Sequence, residues 1–168
     1  MKNLNKKPIF LFLAGTALLA LSLALTSCSS SEEDLSDLIK GTWREVSIQA
    51  GSAPEHTYPE TKTISGDTIT TQPYMCLYQN KIYNAEMKTG VTNSSNDGLY
   101  KGDGWDNITY YVVGTKLIYV VGPNTIYADI TLEGNNLTLV EPSGSGNSTR
   151  KFIRVSSPTV TEILSAKD

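Results

Sequence analysis

The residues that could support catalysis are few and scattered in this sequence. His56 is the only histidine, and it lies in the polar, proline-containing stretch 53–59. A serine triad needs a histidine as its general base, but no nucleophile motif stands near His56. A zinc site built on several histidines is excluded by the same count. We therefore interpret His56 as a solvated loop residue.

The clearest group of carboxylates is Asp97, Asp103 and Asp106, which stand among glycines. Paired carboxylates can hydrolyse glycosides, and aspartates in a glycine-rich loop can bind calcium. The spacing differs from that of an EF-hand loop and no closing glutamate follows, so a solvated loop is favoured. The sequence also lacks a glycine-rich phosphate loop and a dinucleotide fingerprint. We expect no enzymatic activity, no metal site and no cofactor.

Two further side chains have nucleophilic or acceptor groups. Cys76 lies between Met75 and Leu77 in an apolar, strand-like stretch, which predicts a buried and inert thiol. Asp67-Thr68-Ile69 resembles the acceptor sequence for O-glycosylation of exported proteins in some diderm bacteria, which makes Thr68 a candidate modification site. A turn followed by a strand is the stronger explanation of the same three residues, because so short a match often arises by chance.

Residues 1–27 have the composition of an export signal. Lys2, Lys6 and Lys7 precede a largely apolar run over residues 9–25, as in secretory signal peptides. Leu25-Thr26-Ser27-Cys28 resembles the lipobox of bacterial lipoproteins. The resemblance implies cleavage before Cys28 and attachment of acyl chains, such as palmitate, to that residue. Two or more acyl chains anchor a protein stably to a lipid bilayer, so we expect an outer-membrane lipoprotein of the cell envelope.

The residues after Cys28 predict a tether followed by one domain. Residues 29–34 are polar and acidic, which is typical of disorder. We assign residues 28–37 to the tether and residues 38–168 to the folded domain, an ordinary domain size. The acidic stretch also resembles the signal that sends some lipoproteins to the cell surface in certain diderm bacteria. A plain solvated spacer is the alternative.

The charge of the mature chain excludes one class of partner. Residues 1–27 contain three lysines and no acidic residue, so their removal takes the net charge from −3 to −6. Affinity for nucleic acid comes largely from lysine and arginine side chains that neutralise phosphates. We therefore expect no nucleic acid partner.

The mature sequence predicts an all-β domain. Short runs rich in Thr, Val, Ile and Tyr are separated by Gly, Asn, Asp and Pro, which is the signature of strands and turns. The predicted strands are 42–49, 61–64, 68–71, 74–78, 81–87, 105–113, 117–121, 125–133, 136–141 and 149–156. Ile126, Ala128 and Ile130 alternate with polar residues, as expected for an antiparallel meander that closes into a barrel. A two-sheet sandwich would give nearly the same pattern.

Three stretches of the mature chain resemble one family. Gly41-Thr42-Trp43 resembles the opening of lipocalins and of bacterial lipocalin-like lipoproteins, and residues 76–84 and 151–155 resemble their middle and closing strands. The resemblance implies an antiparallel up-and-down β-barrel of about eight strands with room for one small ligand. It also implies that Trp43 packs beneath Arg154 and fastens the first strand to the last. An ordinary core aromatic is the alternative for Trp43.

Two non-catalytic functions fit these observations. In the first, the barrel binds a small apolar or amphipathic molecule. In the second, the barrel is filled by its own side chains and serves as a structural or interaction module of the cell envelope. Its partner would then be another envelope protein, a glycan or a host molecule.

Acylation of Cys28 can be tested by substitution. We predict that Cys28→Ser abolishes both palmitate incorporation and signal cleavage, because the thiol is the group that accepts the lipid. Metabolic labelling and the size of the chain after cell fractionation measure both effects, and Cys76→Ser is the matched control that should change neither. A Cys28→Ser chain that is fully processed and still pellets with membranes would contradict the assignment.

Overall fold

The computed structural model describes residues 34–64, 66–90, 97–102, 107–144 and 146–168. The predicted signal peptide, Cys28, Asp103 and Asp106 lie outside the described residues. The described residues form eleven strands and two short helices. In chain order these are α1 (Leu35–Leu38), β1 (Gly41–Ala50), β2 (His56–Thr57), β3 (Glu60–Ile64), β4 (Asp67–Tyr78), β5 (Lys81–Thr89), β6 (Gly98–Lys101), β7 (Ile108–Val113), β8 (Lys116–Val121), β9 (Asn124–Glu133), β10 (Asn136–Ser143), β11 (Gly146–Val155) and α2 (Val160–Leu164).

Eight of the described strands close into an antiparallel barrel. Their order around the barrel is β1-β11-β10-β9-β8-β7-β5-β4, and the pairing of β1 with β4 completes the ring. The predicted all-β barrel of about eight strands is therefore confirmed, and a sandwich is excluded because the sheet closes on itself. β2, β3 and β6 lie outside the ring and pair with β1, β4 and β5 respectively.

Tight turns connect neighbouring strands and set this up-and-down order. Gly114 and Gly134 begin the β7–β8 and β9–β10 turns with φ angles of 58° and 59°, as type II′ hairpin turns require of their first central residue. Gln79 and Asn80 both have positive φ in the β4–β5 turn, as in type I′ turns. The glycines and asparagines that mark turns in the sequence thus supply the backbone conformations that join adjacent antiparallel strands.

The core fills one half of the barrel interior. Along β9, Ala128 and Ile130 are buried and Tyr127 is exposed, so the inward face is the one predicted from the alternation. Residues from every strand of the ring contribute to this core, which stabilises the fold by removing apolar surface from water. Its buried members are Ile39, Trp43, Met75, Leu77, Ile82, Tyr110, Leu117, Tyr119, Ala128, Ile130, Leu137, Leu139 and Phe152.

Trp43 and Arg154 meet where β1 begins and β11 ends, which we call the closed end of the barrel. They are opposite each other in the strand register, and the Arg154 guanidinium lies 4.2 Å from the Trp43 ring centroid. The Trp43 Nε1 donates a hydrogen bond of 2.7 Å to the carbonyl of Ile39. Arg154 donates to the carbonyls of Lys40 and Leu38. The end of α1 is therefore held by both strands.

Gly41 is required at this closed end. Its φ angle is +118°, and a Cβ atom at this position would lie 3.1 Å from the Arg154 Nη1. A larger residue would be strained in its backbone and crowd the guanidinium. Leu35 of α1 packs against the core, whereas the sequence predicts that residues 28–37 form a tether. A single helical turn is too short to produce an apolar periodicity.

Helix α2 covers the outer face of β4, β5 and β6. Its Ile163 packs with Cys76 and Ala85 in a second apolar cluster, so Cys76 is buried as predicted, and burial raises the pKa of its thiol. The chain then continues along β6, where the amide of Lys101 donates to the carbonyl of Lys167. Neither α2 nor β6 was predicted from the sequence. Within the described part of the chain, no helix combines the length and apolar character needed to cross a bilayer.

The contribution of Arg154 can be measured by unfolding. We predict that Arg154→Ala lowers the free energy of unfolding by about 2 kcal/mol, because a cation–π contact and two charge-assisted hydrogen bonds are lost. Urea denaturation measures the effect. Arg44→Ala removes an exposed arginine of the same end of β1 and should change stability by less than about 0.5 kcal/mol. Equal losses in the two variants would contradict a fastening role for Arg154.

Candidate functional site

The barrel wall separates at two seams away from the closed end. β1 pairs with β4 only from Gly41 to Arg44, and β5 pairs with β7 only at Lys81 and Ile82. Beyond these positions β1 pairs with β2, and β5 pairs with β6. The strands therefore diverge at the end where β1 ends and β11 begins, which we call the open end.

A cavity of about 420 Å³ lies in the open end. Its volume falls within the range of about 300–1,000 Å³ that is usual for small-molecule pockets. Beneath it the free space shrinks to about 10 Å³, roughly what one water molecule needs, so the packed core forms its floor. The cavity is lined by Glu45, Ile48, Tyr58, Pro73, Tyr74, Asn84, Ala85, Glu86, Gly102, Glu141, Ser148 and Arg150.

A buried ion pair lies at the floor of the cavity. Arg150 of β11 donates from Nε to the Glu45 Oε1 at 2.9 Å and from Nη2 to the Glu45 Oε2 at 2.7 Å. Glu45 is only 2% exposed. Burial by itself lowers the pKa of Arg150, but the hydrogen bonds and charge of Glu45, followed by the charge of Glu141, raise it above its ordinary value. Arg150 therefore stays positively charged, and its charge is paired with that of Glu45.

Strand parity explains why this pair faces inward. Glu45 stands two residues after Trp43 on β1, and Arg150 stands two residues before Phe152 on β11. Residues two apart in a strand have side chains on the same face, so both charged side chains point into the barrel. A β-bulge lies between Glu45 and Ser47, and bulges of this kind re-aim side chains near the rims of barrels. The two charges thus come from positions that would otherwise hold core residues.

Tyr119 and Glu141 form a second contact at the floor. The Tyr119 hydroxyl donates a hydrogen bond of 2.7 Å to the Glu141 Oε1. Burial raises the pKa of Tyr119 well above its ordinary value, and the charge of Glu141 and this hydrogen bond raise it further. Tyr119 therefore remains a protonated donor. Among the described residues, no lysine, arginine or histidine lies within ion-pair distance of Glu141.

The walls of the cavity are aromatic and aliphatic. Tyr58 and Tyr74 are half-buried there beside Ile48 and Pro73. Burial raises the pKa of both tyrosines, and the Glu45 charge raises that of Tyr58 further, so both rings stay neutral. The site combines apolar walls with a few polar groups, which is the usual chemistry of small-molecule pockets.

The sequence-predicted site residues lie apart from this cavity. Trp43 and Arg154 are at the closed end, and Cys28 lies outside the described residues. Thr68 is exposed on β4, and its hydroxyl is 3.4 Å from that of Thr63 on β3. His56 belongs to β2 rather than to a loop, and its ring packs edge-on against Tyr58 at 4.9 Å.

Glu45, Glu141 and Arg150 were not predicted from the sequence as site residues. Each lies on a predicted strand, so the available signal was a charged residue on the apolar face of that strand. Glu45 could have been recognised by this signal because it lies two residues from Trp43, on the same face of its strand. Arg150 could have been recognised in the same way from Phe152. In the described part of the chain, no group of three His, Cys, Asp or Glu side chains is arranged to hold a metal ion.

Comparisons of the chain with protein-family models, with curated proteins and with solved structures found no match.

The buried ion pair can be tested with a double-mutant cycle. We predict that Arg150→Met lowers the free energy of unfolding by about 3–5 kcal/mol, because Glu45 is left as an uncompensated buried charge. Glu45→Gln with Arg150→Met should cost less than the sum of the single substitutions. Urea denaturation of the four chains gives the coupling free energy.

The exposed pair Lys116–Asp129, at 2.5 Å, is the matched control for this cycle. Its coupling free energy should be about 0–1 kcal/mol, as for other surface ion pairs. A Glu45–Arg150 coupling no larger than that of the control would show that the pair is not desolvated in solution.

Proposed function

We propose that this chain is a non-catalytic, membrane-anchored lipoprotein of the cell envelope whose barrel binds one small amphipathic ligand at its open end. The observation that carries the proposal is the cavity of about 420 Å³ above the packed core. A barrel that served only as a structural element would gain stability by filling this space with its own side chains. An unfilled, partly polar space inside a closed barrel is typical of a binding site.

The chemistry of the cavity supports binding rather than catalysis. Among the described residues that line it, there is neither an imidazole nor a thiol. The Arg150 cation is already paired with Glu45, and the Tyr119 hydroxyl already donates its hydrogen bond to Glu141. A general base with a tuned pKa and an adjacent nucleophile are the usual requirements for acyl transfer. The lining residues offer recognition groups instead.

The anchoring part of the proposal rests on the N-terminal sequence. The lysines, the apolar run and the Leu-Thr-Ser-Cys sequence that ends at Cys28 occur in the order of a lipoprotein signal. The eight-stranded barrel and the contact of Arg154 with Trp43 at the closed end also support the resemblance to bacterial lipocalin-like lipoproteins. We extend the proposal to membership of that group.

A second candidate function is an interaction module, which a different surface favours. On the outer face of β7, β8 and β9 several large apolar side chains are exposed. Tyr111 and Tyr127 are exposed on either side of the buried Ile118 across these strands, and Val113 and Val120 are exposed beside them. Apolar patches of this kind mark contact surfaces. Such a role would leave the cavity without a ligand.

Ligand binding can be tested by thermal unfolding. We predict that at least one member of a panel of amphipathic lipids, aryl compounds and glycans raises the melting temperature of the chain from Asp34 onward, because a ligand that binds only the folded state stabilises it. Ser148→Trp places a large side chain at the cavity wall and should abolish the shift. Thr149→Trp, the next residue along β11, is the matched control that should retain it.

An unchanged melting temperature across the whole panel would overturn the binding proposal. The interaction module would then be the better account. A shift that survives in Ser148→Trp would place the ligand outside the cavity.

A further inference from the structure

The charges that line the cavity are unbalanced. Glu45, Glu86 and Glu141 are carboxylates, whereas Arg150 is the one guanidinium among the lining residues of the described chain. The imbalance matters because a cavity with low-dielectric walls concentrates the field of its charges. An anionic ligand would be repelled here, and a cationic ligand would be attracted.

Two of these carboxylates already have cationic partners. Glu45 makes both hydrogen bonds of a bidentate pair with Arg150. Glu86 lies at the rim, 3.9 Å from the Lys88 Nζ, and both side chains are 39% exposed. Their charges are therefore offset, by a guanidinium in one case and by lysine and solvent in the other.

Glu141 is different from the other two. Its hydrogen-bond donor among the described residues is the neutral Tyr119 hydroxyl, which donates to Oε1 at 2.7 Å. A neutral donor orients the carboxylate without cancelling its charge. Arg150 is close enough for the Glu141 charge to raise its pKa, but its hydrogen bonds go to Glu45. The negative charge of Glu141 is therefore held in a fixed position at the floor of a space large enough for a small molecule.

The walls above Glu141 suit an organic cation. Tyr58 lines the same cavity, and aromatic faces attract ammonium groups by their quadrupole. Ile48 and Pro73 add apolar surface for the uncharged part of such a ligand. Carboxylate, aromatic rings and aliphatic walls are the groups that recognise an amine joined to an apolar body.

We infer that the open-end cavity selects a cationic amphipathic ligand, an organic amine whose ammonium group forms an ion pair with Glu141. The inference rests on the proposed binding function and names the class of ligand. The apolar part of the amine lies against Tyr58, Ile48 and Pro73. Arg150 and Glu45 hold the floor in shape and make no net charge contribution to the choice of ligand.

Three phenylalkyl probes of similar size and different charge test the inference. The full chain, purified in detergent, is titrated calorimetrically with 2-phenylethylamine, 2-phenylethanol and 3-phenylpropanoate, with blank titrations into detergent alone. We expect the amine to bind at least about tenfold more tightly than the alcohol, as one charge-assisted hydrogen bond provides, and the carboxylate to bind most weakly. Raising the ionic strength should weaken the binding of the amine alone.

Two substitutions assign the preference to Glu141. Glu141→Gln keeps the shape and an acceptor for Tyr119, and it should reduce the ratio of amine to alcohol affinity to about one. Glu133→Gln removes the same charge at an exposed position of β9 and should leave the ratio as it is. The charge preference of the unaltered chain tests the inference even if Glu141→Gln fails to fold.

The outcomes separate the inference from the proposal on which it rests. If the alcohol or the carboxylate binds as tightly as the amine, the binding function stands and the selection of a cation is overturned. The same conclusion follows if Glu141→Gln keeps the full preference for the amine. If none of the three probes binds and the wider panel leaves the melting temperature unchanged, the binding function fails and the inference fails with it.

Discussion

The ion pair between Glu45 and Arg150 divides the barrel into two halves. A buried carboxylate and guanidinium are costly to desolvate unless their hydrogen-bonding groups are satisfied, and here each meets the other in a bidentate contact. Apolar side chains pack against one another below this level. Above it, the charges of Glu45, Arg150 and Glu141 require polar surroundings. The cavity therefore begins where the charged floor ends the apolar core.

The two ends of the molecule have different physical roles. At the closed end, Trp43, Arg154 and the last turn of α1 are joined by a cation–π contact and by hydrogen bonds to backbone carbonyls. These contacts fix the strand register between the first and last strands. At the open end the strands change pairing partners, and the residues there line a cavity instead of filling the core. The closed end thus joins the first strand to the last, and the open end holds the cavity.

The fold was predictable because local patterns and turn residues agree. The alternation along β9 and the glycines at positions 114 and 134 indicated an antiparallel meander, and the family resemblance of Gly41 and Trp43 pointed to a barrel rather than a sandwich. Helix α2 was not predicted, since five residues are too few for an apolar periodicity. Its capping box of Thr159 and Glu162 was present in the sequence as the one local signal.

The candidate site was less predictable than the fold. Its lining comes from five of the eight ring strands and from residues that follow β2 and β6, so no continuous motif encodes it. Glu45, Glu141 and Arg150 were overlooked because an inward charged residue interrupts the pattern by which strands are recognised. Such interruptions are expected where function competes with packing. A charged residue on a predicted apolar face therefore carries more functional information than His56 or Asp97.

The exchange of partners at the seams also protects the sheet. Opening a barrel wall exposes unpaired amide and carbonyl groups, which can recruit strands from other molecules and start aggregation. Here β2 and β6 take up the backbone groups that β4 and β7 leave on β1 and β5. The outer edge of β6 is covered in turn by the end of the chain, through hydrogen bonds that Lys167 makes with Lys101 and Leu99. The C-terminal residues therefore prevent strands of other molecules from pairing with the sheet at this seam. Removal of these residues would expose a strand edge beside the entrance to the cavity.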